Sequence, residues 1–220
     1  MNINPLQSQC TLFRQRIGAI ESWMWPSVDI ETFRIIFADW IKYYDPFLRK
    51  EFASKNGTVI QAGGNCGMYP LLYTAFFNRV YTFEPDPLSF FCLAHNCQYG
   101  NIYKFNCALG HRPGYVDIIQ SPQADNRGMN RVKEVITPSI PSITLDSFWL
   151  DDVKLIQLDL EGFEQWALEG AVETIKRNKP VIIVECSLLN VEQVEKILHS
   201  LDYRKCEQLT PSDRIYRHKK

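Results

Sequence analysis

The residues best placed to do chemistry fall in three short stretches. Thr58–Tyr69 reads TVIQAGGNCGMY, an apolar run that ends in Gly63, Gly64 and Gly67 ahead of a helix-forming segment. Glycines at a strand-to-helix turn tolerate positive φ and let a ligand approach the backbone. The helix start beyond them offers unpaired N–H groups. Val80–Pro87, VYTFEPDP, puts Glu84 at the end of the next apolar run. That is about 20 residues after the glycine turn, where an acid can accept hydrogen bonds from both hydroxyls of a ribose. Turn and acid together imply a nucleoside-bearing cofactor at the carboxyl ends of parallel strands. The spacing is G-G-N-x-G, not the G-x-G-x-x-G of dinucleotide binders, which argues against NAD or FAD. The third stretch, QLDLEGFE from Gln157 to Glu164, gathers Asp159, Glu161 and Glu164 where another apolar run ends. Carboxylates at such an edge are candidates for proton transfer. Asp159 and Glu161, two apart, face the same way if the strand continues. Glu161 is alternatively a helix cap, and Glu164 a solvated acid on a first turn.

Something must hold these stretches together. From about residue 57 short apolar strands alternate with helices. Strands are predicted over Thr58–Gln61, Val80–Phe83, Ile102–Cys107, Val153–Leu158 and Val181–Val184. Helices are predicted over Met68–Phe77, Pro87–Tyr99, Gly162–Asn178 and Val191–Ser200. Such alternation forecasts a mostly parallel sheet with helices on both faces. Asp202–Gln208 and Arg214–His218 read as a closing antiparallel hairpin. Gly114–Ile119 reads as an added or extended strand, and Ser121–Pro141, rich in proline and small polar residues, as a long loop. Residues 1–55 read as mainly helical: Asp29 as N-cap, then Ile30, Phe33, Ile36, Phe37, Trp40, Ile41 and Tyr44 at helical spacing. The expected organisation is an N-terminal helical cap or extension over 1–55 and a Rossmann-like domain over 56–220.

The motifs in order resemble the FkbM family of methyltransferases over roughly residues 57–188. Gln61–Gly67, QAGGNCG, stands where the family has D-x-G-x-N-x-G; Phe83-Glu84-Pro85 matches its F-E-P, and Asn106–Gly110 its N-x-A-L-G. Ile143–Asp146 matches I-T-L-D, QLDLEGFE matches K-I-D-x-E-G-x-E, and Leu168–Ala171 matches L-x-G-A. Val181–Glu185 follows the fifth-strand pattern in shifted form. The resemblance implies a class I Rossmann-like α/β fold, with a mostly parallel seven-stranded sheet, and S-adenosylmethionine as cofactor. By it, Gly63, Asn65 and Gly67 wrap the methionine end, Glu84 holds the ribose, and Asn106, Cys107 and Ala108 flank the adenine. Gln61 departs from the family's acid and offers no charge to the cofactor's amino group, which implies weaker binding. Family acceptors are hydroxyls of sugars and small molecules. Losing the hydroxyl proton calls for a base, and Asp159 and Glu161 are assigned that role. No metal ligand is assigned, although Glu185 could join these acids around a divalent cation.

Composition sets outer bounds. The chain has 220 residues, 45% hydrophobic and 22% charged, with formal net charge −1. That balance gives no basic field for nucleic acid or an anionic membrane. The seven cysteines are irregularly spaced; they read as reduced thiols in a cytoplasm, and Cys92 and Cys97 around His95 do not make a zinc motif. The N-terminus has no signal-peptide pattern. His111 reads as a loop histidine. Arg127 is a candidate anchor for a substrate carboxylate or phosphate. The expected partner is a small-molecule or glycan acceptor, without nucleic acid or membrane, and a homodimer is open. The alternatives are a binding module that keeps S-adenosylmethionine but has lost transfer, or a methyltransferase acting on nucleic acid or protein.

Overall fold

A computed structural model describes residues 9–17, 20–27, 29–120, 129–136, 139–186 and 190–219. The glycine turn, the ribose acid and the third acidic stretch all end on one sheet of seven strands. They are β3 (Thr58–Ala62), β4 (Arg79–Phe83), β5 (Ile102–Phe105), β10 (Val153–Leu158), β11 (Val181–Glu185), β12 (Tyr203–Gln208) and β13 (Asp213–His218), in the order β12-β13-β11-β10-β3-β4-β5. β11, β10, β3, β4 and β5 run parallel; β13 lies antiparallel to β11 and β12 antiparallel to β13. Every residue of β3 is buried, as expected of a strand covered on both faces. Val59 and Leu155 look into one apolar cluster and Ile60 and Ile156 into the other. From β3 the chain winds outward to β4 and β5, whereas β10 and β11 lie on its other side. The order therefore switches at β3, and the crevice outside the strands' carboxyl ends at such a switch is where ligands bind.

The connecting helices are α3 (Met68–Tyr73), α4 (Pro87–Asn96), α5 (Glu164–Glu169), α6 (Val172–Asn178) and α7 (Val191–Ser200). Asp86 starts α4 by accepting from the Leu88 and Ser89 amides at 2.8 and 3.2 Å, a cap of the usual kind. The single helix expected over Gly162–Asn178 is two helices broken at Gly170. A Cβ on Gly170 would lie 2.0 Å from the Gly110 carbonyl oxygen, so this corner packs backbone on backbone.

Two other expectations need correction. Residues 1–55 are not a purely helical extension. Within the described residues, β1 (Cys10–Ile17) pairs antiparallel with β2 (Ile20–Pro26). Trp23 and Trp25, alternate residues on β2, are fully buried. Asn96 of α4 mimics a further strand: its amide accepts from Met24 N and donates to Met24 O, both at 2.8 Å. Tertiary pairing fixes this hairpin, where local pattern gave no sign of it. The helical part holds later, as α1 (Ile30–Asp39), a π-helical turn (Trp40–Tyr44) and α2 (Asp45–Glu51). The Asp29 carboxylate accepts the Thr32 hydroxyl. Likewise Ser121–Pro141 is not one loop, since β8 (Arg131–Val135) pairs with β7 (Gly114–Ile119). β6 (Ala108–Leu109), β9 (Ile140–Ile143), β7 and β8 form a second, four-stranded sheet, so β7 does not extend the main one. Asn126, Arg127 and Gly128 lie outside the described residues.

Gly170→Ala forces a methyl group into the Gly110 carbonyl, a backbone contact that cannot swing aside. Overpacking of this kind costs about 2 kcal/mol, and for a chain of this size lowers Tm by about 4–8 °C. Thermal melting of the variant checks this; an unchanged Tm would show that the corner has room.

Candidate functional site

A cleft opens at the carboxyl ends of β3, β4 and β10. Of the residues singled out above, Gly63, Asn65, Glu84, Cys107, Ala108, Asp159 and Glu161 line it. Gly63 has φ 87°, and a Cβ there would meet the Asp159 carbonyl oxygen at 1.9 Å, so only glycine lets β3 and β10 come together at this turn. Asn65 follows with φ 45°. Glu84, only 7% exposed, joins the two loops. Its Oε2 accepts from Asn65 N at 2.7 Å and its Oε1 from Asp86 N at 2.8 Å. Asn65 Oδ1 is buried and makes no hydrogen bond with a described residue, as a buried acceptor facing a ligand site would.

Three expected cofactor residues do not line the cleft. Gln61 is fully buried in β3; its Nε2 donates to Gly63 O at 2.8 Å and its Oε1 accepts from Thr82 at 2.6 Å. It shapes the glycine turn from beneath. Gly67, with φ 92°, starts α3 against α4. Asn106 donates to the Glu84 and Pro85 carbonyls at 2.8 and 3.1 Å, so it holds the ribose acid's loop in place.

The acids form a row set by register. Glu185 at the end of β11 faces Asp213 at the start of β13. Asp159 follows directly on Leu158, which pairs with Val184. Its own amide still donates to Ala62 O at 3.1 Å. Carboxylate oxygens of Asp159, Glu161 and Glu185 all lie within 4.8 Å of one another, near enough to share a proton or, as hard oxygen donors, a divalent cation. Burial and the repulsion of Glu185 and Asp213 raise the Asp159 carboxyl well above its usual range, and it hydrogen-bonds to Glu185. Burial, then the charge of Glu161, pushes Glu185 up to about 7. Burial raises Glu161 too, with the Arg131 guanidinium opposing. Asp213 is raised mainly by burial, while hydrogen bonds from Thr210 and Tyr44 oppose the rise; the Thr210 bond is 2.6 Å. Crowded, buried acids with this little compensation favour their protonated forms.

Glu164 is not the solvated first-turn acid expected. It is fully buried and accepts from Leu160 N at 2.8 Å, Gly162 N at 3.3 Å and the Asn190 amide. Glu164 ties down the loop ahead of α5, whose N-terminus has no side-chain cap, and Glu161, with φ 53°, lines the cleft. His111 sits beside Glu134 at 3.6 Å, away from the acids' row. Sequence reasoning missed Asp213, read only as part of a turn; its alignment with Glu185 becomes visible only once the β11–β13 register is known. It also gave no role to Tyr69, at the end of the glycine-turn stretch, or to Trp25, in the N-terminal extension, both of which line the cleft.

Comparisons with known proteins identify the family and the fold. Residues 65–205 match the methyltransferase FkbM domain, and the chain belongs to that family. The crystal structure of methyltransferase FkbM from Methylobacillus flagellatus KT has the same fold, with TM-score 0.53 and 20% identity over 75% of this chain. This chain spans 44% of that protein's length. An rRNA methylase from Streptococcus thermophilus matches with TM-score 0.49 and 12% identity, over 79% of this chain and 93% of its own. M. jannaschii TYW2, solved in complex with AdoMet, matches with TM-score 0.43 and 13% identity, over 96% of this chain and 87% of its own. No curated protein matches the sequence.

The Glu185 shift carries a stability consequence. A raised carboxyl favours folding while protonated, and that contribution is lost as pH climbs from the ordinary carboxyl range, about 4.5, through about 7. Glu185→Gln removes the charge, so the variant is expected to be more stable than the native chain at pH 8 by roughly 1–3 kcal/mol, with the gap closing toward pH 5. Denaturant unfolding at both pH values measures it; a gap independent of pH would contradict the shift.

Proposed function

We propose that this chain is an S-adenosylmethionine-dependent methyltransferase that O-methylates a hydroxyl on a sugar or small molecule. The observation that carries the reading is the pairing, in one cleft, of a clamped ribose-type acid, Glu84, with a proton-sharing carboxylate pair, Asp159 and Glu185. The residues present fit the cofactor. Glu84 presents a carboxylate on the cleft lining, a group suited to ribose hydroxyls, Cys107 and Ala108 line the adenine side, and Gly63 and Asn65 offer backbone and a buried amide oxygen to the methionine end. Bound there, S-adenosylmethionine supplies an electrophilic methyl group and the sulfur leaving group.

The protein's own work is alignment and proton handling. Holding an acceptor oxygen in line with the methyl carbon provides most of the acceleration in such a displacement. Burial and crowding raise the proton affinity of both Asp159 and Glu185, which brings the pair nearer the operating pH at which a carboxylate can take the proton a hydroxyl must release. Glu161 adds negative charge at the same edge, which favours the proton's arrival. Trp25, Met68 and Tyr69 line the same cleft and limit water around the exchange. The idea of an inactive binding module rested on Gln61 standing in place of an acid. Gln61's amide is spent on Gly63 and Thr82, so its lack of charge does not weigh on transfer. No described helix is long and apolar enough to cross a membrane, and a cytoplasmic setting belongs to this proposal.

Incubation with tritiated methyl donor and a panel of methyl glycosides and polyols tests the reading. Label is expected in at least one hydroxyl acceptor, with S-adenosylhomocysteine formed in equal amount. Asp159→Asn is expected to lower turnover about 10²–10⁴-fold, the range for general-base catalysis, with cofactor Kd essentially unchanged. Transfer that survives in Asp159→Asn at the native rate, or no labelled acceptor in the panel, counts against it.

A further inference from the structure

A second groove adjoins the main cleft and shares Val132, Glu161 and Phe163 with it. Its outer wall is β8, and its floor includes Trp166 of α5, whose ring lies 5.0 Å from that of His111. The two spaces differ in charge. At the reacting end stand Asp159, Glu161, Glu185 and Asp213, with Asp39 also on the lining, and no described lysine, arginine or histidine lines that cleft. The groove carries Arg131 and Lys133, two apart on β8 and so on one face of the strand.

Neither cation makes an ion pair within 4 Å of a described acid. Glu134, the other acid of the groove, is engaged by Arg112 at 3.5 Å and His111 at 3.6 Å. Asp117, opposite Lys133 across the hairpin, accepts instead from Ile118 N at 3.0 Å and the Ser139 hydroxyl at 3.4 Å. Arg131 acts on Glu161 only as a nearby charge that favours its ionised form. β8 is an edge strand of the small sheet, and both cations on it are exposed.

Resting on the methyl-transfer reading of the main cleft, we infer that Arg131 and Lys133 bind an anionic group on the acceptor, a phosphate or a carboxylate, set beside the sugar unit whose hydroxyl is methylated. The acid row rejects an anion at the reacting end and admits a hydroxyl there. The next cavity along, reached past Glu161, adds two cations that the cleft lacks. A planar guanidinium and an ammonium suit either oxyanion, and Trp166 gives the neighbouring ring an apolar face to lie on. The acceptor class is therefore an anionic saccharide, and a neutral glycoside is the poorer ligand.

Calorimetry on the protein saturated with S-adenosylhomocysteine tests this with three probes: glucose 1-phosphate, glucuronate and methyl glucoside. At least one anionic probe is expected to bind tenfold or more tightly than methyl glucoside, and the preferred one tells phosphate from carboxylate. In the Arg131→Ala, Lys133→Ala double variant that preference is expected to fall to within about twofold, and in the native protein to shrink as salt rises. S-adenosylhomocysteine affinity, unchanged in the variant, shows that the fold and cofactor site are intact. Equal binding of all three probes to the native protein, or a preference the variant keeps, overturns the inference. If S-adenosylhomocysteine itself does not bind the native protein, the methyl-transfer reading has failed, and the inference that rests on it is overturned with it.

Discussion

The structure turns on the Glu84 carboxylate. It is almost wholly buried, and burying a charge is costly unless it is fully hydrogen-bonded. Two backbone amides, Asn65 N and Asp86 N, meet that demand, and they come from two different loops. The glycine turn and the start of α4 are thereby tied to one point at the end of β4. Asp86 then caps α4 and takes a hydrogen bond from Asn130 at 2.9 Å, which brings the small sheet's approach segment over the same corner. Asn106 closes the arrangement from β5. Glu84 and Asn65 both line the cleft at the point where these segments meet.

The second constraint is the sheet register. Parallel ladders align the last residues of β10 and β11, and the antiparallel return of β13 brings Asp213 opposite Glu185. Three strands thus deliver acids to one edge. Burial and their mutual repulsion both favour protonated forms of these acids. Tyr44 reaches this row from a π-helical turn, and its hydrogen bond steadies Asp213. π-Turns concentrate at functional sites, and here the turn brings the N-terminal helical segment into the site, so that segment is more than a cover.

Much of this was legible in the sequence because it is local. Strand–helix alternation, the glycine turn and the acid after β4 are each written in a few consecutive residues, and β7, β10 and α7 fall on the expected spans. What escaped depends on distant partners. The β1–β2 hairpin exists because Asn96 and the buried indoles of Trp23 and Trp25 hold it to α4, seventy-two residues away in the Met24–Asn96 pair. Gln61 looked like a ligand residue because of its position in the motif, but Thr82, its neighbour on β4, claims its side chain. Glu164 looked like a solvated first-turn acid, but Asn190, on a separate connection, bonds to its buried carboxylate. Asp213 looked like turn chemistry until the strand it begins was paired.

Calorimetric titration of S-adenosylmethionine into the native protein and into Glu84→Ala tests the central claim most directly. The account predicts binding by the native chain and a loss of at least about 1.5 kcal/mol in the variant, the worth of hydrogen bonds to a charged group. Equal affinity in the two proteins, or no binding to the native chain at millimolar cofactor, would contradict it.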